Sequence, residues 1–143
     1  MTPIVLTLAL LMAHAPVRVD KTLSASEVVR RLDVTSFPSS IGPRRRPGAW
    51  TFRDYGVTRL EPKGRDFITL YERDKSWVFT IEVLGPSYRG TIVCMTDHAL
   101  NGGSYYTQDP MEIEEGPGGL LRATDRTVTH PKCPVRRSLW EPR

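Results

Sequence analysis

The sequence predicts an α+β protein rich in β-structure, with one short N-terminal helix followed by an antiparallel meander of five to six strands. Three observations support this fold class. One helical pattern occurs near residue 24, the later segments alternate apolar and polar residues, and turns containing glycine or proline separate those segments. Because the turns are short and hold no helical pattern, neighbouring strands are expected to be antiparallel, since parallel strands need a long crossover.

The length allows one domain. With 143 residues, 39% of them hydrophobic, the chain suits a single core, because two cores would share too few apolar residues. Residues 1–15 are predicted to be a signal peptide and residues 16–143 a single globular α+β domain. Residues 4–13 are apolar apart from Thr7, which is too short for a transmembrane helix, and Ala13-His14-Ala15 fits a cleavage site. No Lys or Arg precedes this stretch, so a buried N-terminal segment is the alternative.

The helix is predicted over residues 24–33. Ser24 and Glu27 have the spacing of a capping box, in which each side chain bonds to the backbone of the other residue. Val28, Val29 and Leu32 follow at helical spacing and must dock on a core, because so short a helix is not stable alone. Residues 36–48 contain three prolines and two glycines and are predicted to be a loop, anchored by apolar residues at positions 37 and 41.

Strands are predicted from residue 49 onward. The expected segments are 49–60, 66–72, 77–84, 91–97, then 105–107 and 111–115 on either side of a proline, and a weakly alternating stretch at 120–128. The pattern is clearest at 77–84, where Trp77, Phe79, Ile81 and Val83 share one face. One face of the predicted sheet is expected to pack on the helix and on the loop.

The two cysteines are predicted to form a disulfide. Cys94 lies in an expected strand and Cys133 in a proline-rich tail, residues 130–143, which has little apolar content of its own. In an oxidising compartment the simplest outcome is a bond that tethers the tail to the sheet. Two unrelated thiols are the alternative if the protein is not exported.

No catalytic, metal or cofactor site is predicted. Asp97 and His98 lie at the end of an expected strand and are the nearest candidates for catalysis, but Cys94 is too far along the strand to complete a nucleophilic site with His98. His and Cys residues lack the close spacing of metal motifs. The acidic residues at 112–115 are expected to form a solvated edge.

The basic residues cluster in two segments. Arg44, Arg45 and Arg46 contribute +3, and the tail contributes another +3, so the rest of the chain carries −2 of the net +4. Aromatic residues near such clusters are typical of surfaces that bind anionic polymers, membranes or single-stranded nucleic acid. The predicted binding residues are Arg44, Arg45, Arg46, Trp50, Tyr105, Tyr106, Arg136, Arg137 and Trp140.

Three functions remain open at this point. The first is an exported, periplasmic or secreted, non-enzymatic binding module for a protein or an anionic envelope component. The second is a small enzyme or ligand-binding protein on a cone of the cystatin-like or nuclear-transport-factor-like kind. Its candidate residues are Asp54, Tyr55, Asp97, His98 and Tyr106. The third is a cytosolic nucleic-acid-binding protein that uses the arginine clusters, which requires that the chain is not exported.

Overall fold

A computed structural model describes residues 23–38 and 41–137. The predicted signal peptide and Trp140 lie outside these residues. The described part contains one α-helix, α1 (Ala25–Arg31), and eight strands: β1 (Leu32–Asp33), β2 (Val57–Lys63), β3 (Phe67–Glu72), β4 (Trp77–Pro86), β5 (Thr91–Ala99), β6 (Tyr106–Glu115), β7 (Leu121–Ala123) and β8 (Arg136–Arg137).

The strands form one sheet in the order β1-β7-β6-β5-β4-β3-β2, and β8 also pairs with β6. Strands β2 to β7 are consecutive antiparallel neighbours, which agrees in outline with the predicted meander. The sheet is nevertheless mixed, because β1 pairs in parallel with β7 through Leu32 and Leu121. Neither β1 nor β8 was predicted, since two-residue strands have no periodicity to detect.

The capping box starts α1 as predicted. The Ser24 hydroxyl accepts a hydrogen bond from the Glu27 N–H at 3.2 Å, and the Ser24 N–H donates to the Glu27 carboxylate at 3.0 Å. The helix ends two residues earlier than expected. Leu32 is extended, with φ −72° and ψ 120°, because it already belongs to β1.

The core lies between one face of the sheet, here called the inner face, and α1 with the loop after it. The predicted alternation in β4 is confirmed, with Phe79, Ile81 and Val83 buried on the inner face. Phe52 packs between the rings of Phe37 and Phe79, at centroid distances of 6.3 and 5.2 Å. The buried helix and loop residues are Val28, Val29, Leu32, Phe37 and Ile41, as expected.

The stretch predicted as a strand at 49–60 instead begins with a 3-10 helix, Phe52–Tyr55. Its start is fixed by Asp54, whose carboxylate accepts the N–H groups of Thr51 and Trp50 at 2.8 and 3.0 Å. Gly56 ends it with φ +79°, a conformation that favours glycine. Strand pairing therefore begins only at Val57.

Strand β6 continues through Pro110, where two separate segments were predicted. Pro110 pairs with Cys94 of β5 on one side. On the other side β6 meets β8 at Thr107 and Gln108 and β7 from Ile113 onward, so Pro110 lies opposite a gap between two strands. A proline fits there because it has no N–H to donate to a partner strand.

Candidate functional site

The arginine loop, residues 41–48, lies over the inner face near the ends of β4 and β5. Ile41 is buried, and the Gly42 N–H donates to the Asp97 carboxylate at 2.8 Å. At the other end of the loop, the Arg46 N–H donates to the Tyr55 hydroxyl at 3.0 Å. These contacts fix the position of this part of the predicted proline-rich loop, residues 36–48.

The loop borders an open cavity of about 670 Å³, here called the basic cavity. Such a volume lies within the range of about 300–1,000 Å³ that is typical of small-ligand sites. Its lining residues are Gly42, Pro43, Arg44, Arg45, Arg46, Tyr55, Glu72, Trp77 and Phe79. Three arginines and three aromatic residues therefore line one cavity.

The three arginines differ in their contacts. The Arg46 guanidinium lies over the Tyr55 ring, 4.8 Å from its centroid, and donates to the Asp54 carbonyl at 2.9 Å. Arg45 reaches the Phe37 carbonyl at 3.4 Å. Arg44 is exposed on the cavity wall. None of these contacts is to a carboxylate, so the positive charge is not neutralised by an ion pair within the described residues.

Asp97 lies beneath the loop and is 1% exposed. The Trp77 indole N–H donates to one carboxylate oxygen, and the Gly42 N–H donates to the other. Burial raises the pKa of this carboxyl, although both hydrogen bonds act in the opposite direction. Tyr105 packs on Trp77 with ring centroids 5.4 Å apart. Asp97 thus positions both the loop and an aromatic wall of the basic cavity.

Asp97 and His98 do not face each other. Asp97 pairs with Phe79 and points to the inner face, whereas His98 pairs with Val78 and points to the opposite, outer face. His98 contacts the Tyr106 ring there, at a centroid distance of 5.4 Å. The two residues named as the nearest catalytic candidates are therefore separated by the sheet.

The other residues of the predicted cone site are also dispersed. Asp54 is exposed and caps the 3-10 helix, and hydrogen bonds from the Thr51 and Trp50 N–H groups lower its pKa. Tyr55 lines the basic cavity, and Tyr106 lies on the outer face. Among the described residues, no group of three or more His, Cys, Asp and Glu is placed to hold a metal ion.

The predicted binding residues divide into separate places. The structure puts Arg44, Arg45 and Arg46 in the basic cavity, with Tyr105 behind its Trp77 wall. Trp50 is 52% exposed and does not line that cavity. Arg136 and Arg137 form β8 at the far side of β6, in contact with Thr107 and Gln108. Arg136 and Arg137 therefore do not line the basic cavity.

The predicted disulfide is present. Cys94 and Cys133 are joined with a Cα–Cα distance of 5.7 Å, and both are buried. Gln108 donates to the Pro134 carbonyl at 2.8 Å beside it. The bond holds the tail on the outer face and removes Cys94 as a possible nucleophile in this state.

The expected solvated acidic edge is wrong at Glu112, which is 1% exposed. Its carboxylate accepts from Thr124 Oγ1 at 3.1 Å and forms an ion pair with Arg126 at 3.2 Å. Burial opposes its ionisation, but hydrogen bonds from Ser87, Thr124 and Arg89 together with Arg126 lower its pKa overall. The alternation within β6 could not show this, because the groups that cover Glu112 come from distant parts of the sequence.

Sequence reasoning also missed several lining residues of the basic cavity, namely Gly42, Pro43, Glu72, Trp77 and Phe79. Trp77 and Phe79 were recognised only as core residues. Comparison of the chain with protein families, with curated proteins and with solved structures gives no match. Within the described residues, no helix is long and apolar enough to cross a membrane.

Proposed function

We propose that the protein is an exported, non-enzymatic binding module that takes an anionic ligand in the basic cavity. The observation that carries this proposal is the combination of Arg44, Arg45 and Arg46 with Tyr55, Trp77 and Phe79 around one cavity of about 670 Å³. Guanidinium groups bind phosphate, sulfate and carboxylate through paired hydrogen bonds, and aromatic faces bind flat apolar groups. The ligand class is therefore an anion that carries an apolar part.

The charge balance supports an anion. The lining of the cavity contains three arginines and one carboxylate, that of Glu72. Glu72 already accepts a hydrogen bond from the Ser76 hydroxyl at 3.2 Å. The loop is also attached to the sheet through Gly42, so the guanidinium groups are partly positioned before a ligand arrives.

The geometry of Asp97 favours binding over catalysis. Both of its oxygens accept hydrogen bonds from the fold itself, from Trp77 and Gly42. A general base must reach the proton that it abstracts, and this carboxylate is buried behind the cavity wall. Because His98 lies on the other face, Asp97 and His98 do not form the acid–base pair that the small-enzyme alternative would use.

Export is supported by the disulfide, because such bonds persist in oxidising compartments. The signal itself lies outside the described residues, so this part of the proposal depends on residues 4–15 of the sequence. N-terminal sequencing of the native protein is expected to give Pro16 as the first residue. A chain that begins at Met1 in its native location would contradict export.

The ligand proposal is tested by isothermal titration calorimetry with 1-naphthyl phosphate as the probe. The control ligands are 1-naphthol, which carries only the aromatic part of the probe, and inorganic phosphate, which carries only the anionic part. The triple variant R44A/R45A/R46A removes the cavity charge. The matched control R53A/R73A/R89A removes the same charge from exposed arginines outside the cavity lining. We expect the first variant to bind at least about tenfold more weakly, since partly exposed ion pairs contribute up to about 1 kcal/mol each.

The control variant is expected to keep wild-type affinity. Equal losses in both triple variants would mean that the protein binds through net charge alone, and the cavity proposal would fail. No binding to naphthyl phosphate or to dextran sulfate, a polymeric anion, would also reject it. Tighter binding to a single-stranded oligonucleotide than to either probe would favour the nucleic-acid hypothesis instead.

A further inference from the structure

A single carboxylate lines the basic cavity together with the arginines and the aromatic residues. Glu72 is the last residue of β3, and Trp77 is the first residue of β4. The register that pairs Tyr71 with Val78 places Glu72 opposite Trp77 at the hairpin, on the inner face. Residues directly opposite each other have Cβ atoms about 4.5–5.5 Å apart. The carboxylate and the indole are therefore neighbours in the cavity lining.

The Glu72 carboxylate has one oxygen that the fold does not use. Its Oε2 accepts a hydrogen bond from the Ser76 hydroxyl at 3.2 Å, whereas its Oε1 has no hydrogen-bond or ion-pair partner within the described residues. Arg45 and Arg46 do not supply one, because both donate to backbone carbonyls. The Glu72 side chain is half-buried and lines the cavity, so it remains within reach of a ligand there.

The charges of the cavity lining come from two different parts of the fold. All three arginines belong to the loop 41–48, and the carboxylate belongs to β3 of the sheet. Trp77 and Phe79 share the inner face with Glu72. Three guanidinium groups and one carboxylate leave an excess of +2 in the lining. A ligand that extends from the loop to the sheet meets positive charge first and then a carboxylate beside aromatic residues.

This arrangement suits a ligand that carries both an anion and a cation. An aromatic face attracts a cation that lies within about 6 Å of the ring centroid, and quaternary ammonium groups are bound in this way. A neighbouring carboxylate adds opposite charge. Guanidinium groups bind phosphate oxygens through paired hydrogen bonds. A phosphomonoester carries about −1.5 to −2 charges at pH 7, so it stays anionic when one ammonium group is attached, as a lining with positive excess requires.

We propose that the anionic ligand of the basic cavity is a zwitterion of the phosphocholine type. Its phosphate lies at Arg44, Arg45 and Arg46, and its quaternary ammonium lies at Glu72 and Trp77. This inference rests on the proposed function and extends it, because it assigns the sheet side of the same cavity to a cation. Phosphocholine occurs as a free phosphomonoester and as a lipid headgroup. The free compound carries more negative charge than the headgroup phosphodiester, so the charge of the lining favours the free compound.

The experiment compares phosphocholine with 3,3-dimethylbutyl phosphate by isothermal titration calorimetry of the full chain. The second ligand has the same shape, but a carbon atom replaces the charged nitrogen. We expect phosphocholine to bind at least about fivefold more tightly, as a cation over an aromatic face beside a partly exposed carboxylate should. Equal or weaker binding of phosphocholine would overturn the ammonium assignment alone. No binding of either ligand or of 1-naphthyl phosphate would reject the proposed function, and this inference with it.

The variant Glu72→Gln removes the charge and keeps an acceptor for the Ser76 hydroxyl. It is expected to weaken phosphocholine binding about threefold or more. Binding of 3,3-dimethylbutyl phosphate should stay unchanged or become tighter, because a negative charge leaves an anion site. Equal losses for both ligands would mean that the cavity is merely distorted and would refute the assignment.

The matched control is Glu82→Gln. Glu82 is also half-buried, but it pairs with Phe67 and Cys94 on the outer face. This variant is expected to bind both ligands like wild type. A loss of phosphocholine binding equal to that of Glu72→Gln would show that only the net charge of the protein matters, and the inference would fail.

Flotation with vesicles of dioleoylphosphatidylcholine distinguishes the two sources of the ligand. We expect the protein to bind soluble phosphocholine and not to float with the vesicles. Flotation that soluble phosphocholine abolishes would support the same ammonium and phosphate recognition, with the lipid headgroup as its source. Flotation that persists in Glu72→Gln and in excess phosphocholine would contradict recognition of the headgroup in this cavity.

Discussion

Removal of the Cys94–Cys133 disulfide is expected to destabilise the protein substantially. The bond joins residues 39 positions apart, and closing a loop of this length reduces the entropy of the unfolded chain by an amount equivalent to about 4 kcal/mol. Engineered and native bonds often contribute less, but the whole free energy of unfolding of a small domain is only about 5–15 kcal/mol. The double variant C94A/C133A should therefore lose a large fraction of its stability.

The loss is expected to be greatest in the tail. Besides the disulfide, the described part of the tail is held by the short pairing of β8 with β6, by the bond from Gln108 to the Pro134 carbonyl and by the ion pair of Arg137 with Asp109. Within the described residues, none after Ala123 belongs to the hydrophobic core between α1 and the inner face or packs against it. Amide hydrogen exchange should accordingly rise first in residues 130–137, while β3 to β5 stay protected.

The assay is guanidinium unfolding of the oxidised protein and of C94A/C133A, followed by far-UV circular dichroism. Wild-type protein under reducing conditions is the control, because it keeps the sulfur atoms in their buried places and loses only the covalent bond. A decrease of about 2–4 kcal/mol in both is expected. A change below about 1 kcal/mol, with residues 130–137 still protected from exchange, would refute the reasoning, because the non-covalent contacts would then hold the tail without the bond.

Three further predictions concern single residues. Burial raises the pKa of Asp97 above its ordinary value of 3.8. The protonated carboxyl therefore contributes to stability below pH 3.8, and this contribution is lost as the pH rises through the folded-state pKa. In urea unfolding from about pH 3.5 to 7, the free energy of unfolding should decline less for Asp97→Asn than for wild type. The pH dependence from Glu112 has the opposite sign, because the pKa of Glu112 is lowered from 4.5 despite burial. Glu112→Gln should lower the free energy of unfolding by about 1–3 kcal/mol at neutral pH, and its difference from wild type should shrink in acid. Gly90→Ala should lower the free energy of unfolding by about 1–3 kcal/mol or more, since the alanine Cβ would lie 2.1 Å from the Ile113 carbonyl oxygen. Thermal or urea unfolding measures this loss, and a stability equal to wild type would contradict the packing of β5 against β6.

Local patterns in the sequence were sufficient for the start of α1 and for the long strand β4. The capping box of Ser24 and Glu27 acts within one turn, so it marks the start of α1 without knowledge of the rest of the chain. The alternation at 77–84 likewise identifies a strand with one buried face, because side chains of a strand point alternately to its two sides. The pairing of the two cysteines followed from their number and from the expected compartment.

The same local reasoning failed where a short polar contact competes with periodicity. Apolar residues at 49–60 predicted a strand, but Asp54 binds the backbone of Trp50 and Thr51 and folds the stretch into a 3-10 helix. Side chains of Asp and Thr can form hydrogen bonds to backbone groups a few residues away. Such bonds offset the β-propensity of a segment without changing its pattern of apolar residues.

The sites depended on contacts between distant parts of the chain. The sequence by itself identified the arginines at 44–46 as a basic cluster, and the tertiary structure decided that they line a cavity with Trp77 and Phe79. It also separated Asp97 from His98, buried Glu112 under Arg126, and placed Glu72 beside Trp77 in the cavity lining. Charge and apolar spacing are properties of the chain, whereas burial and an unpaired carboxylate oxygen arise only when strands from different regions pack together.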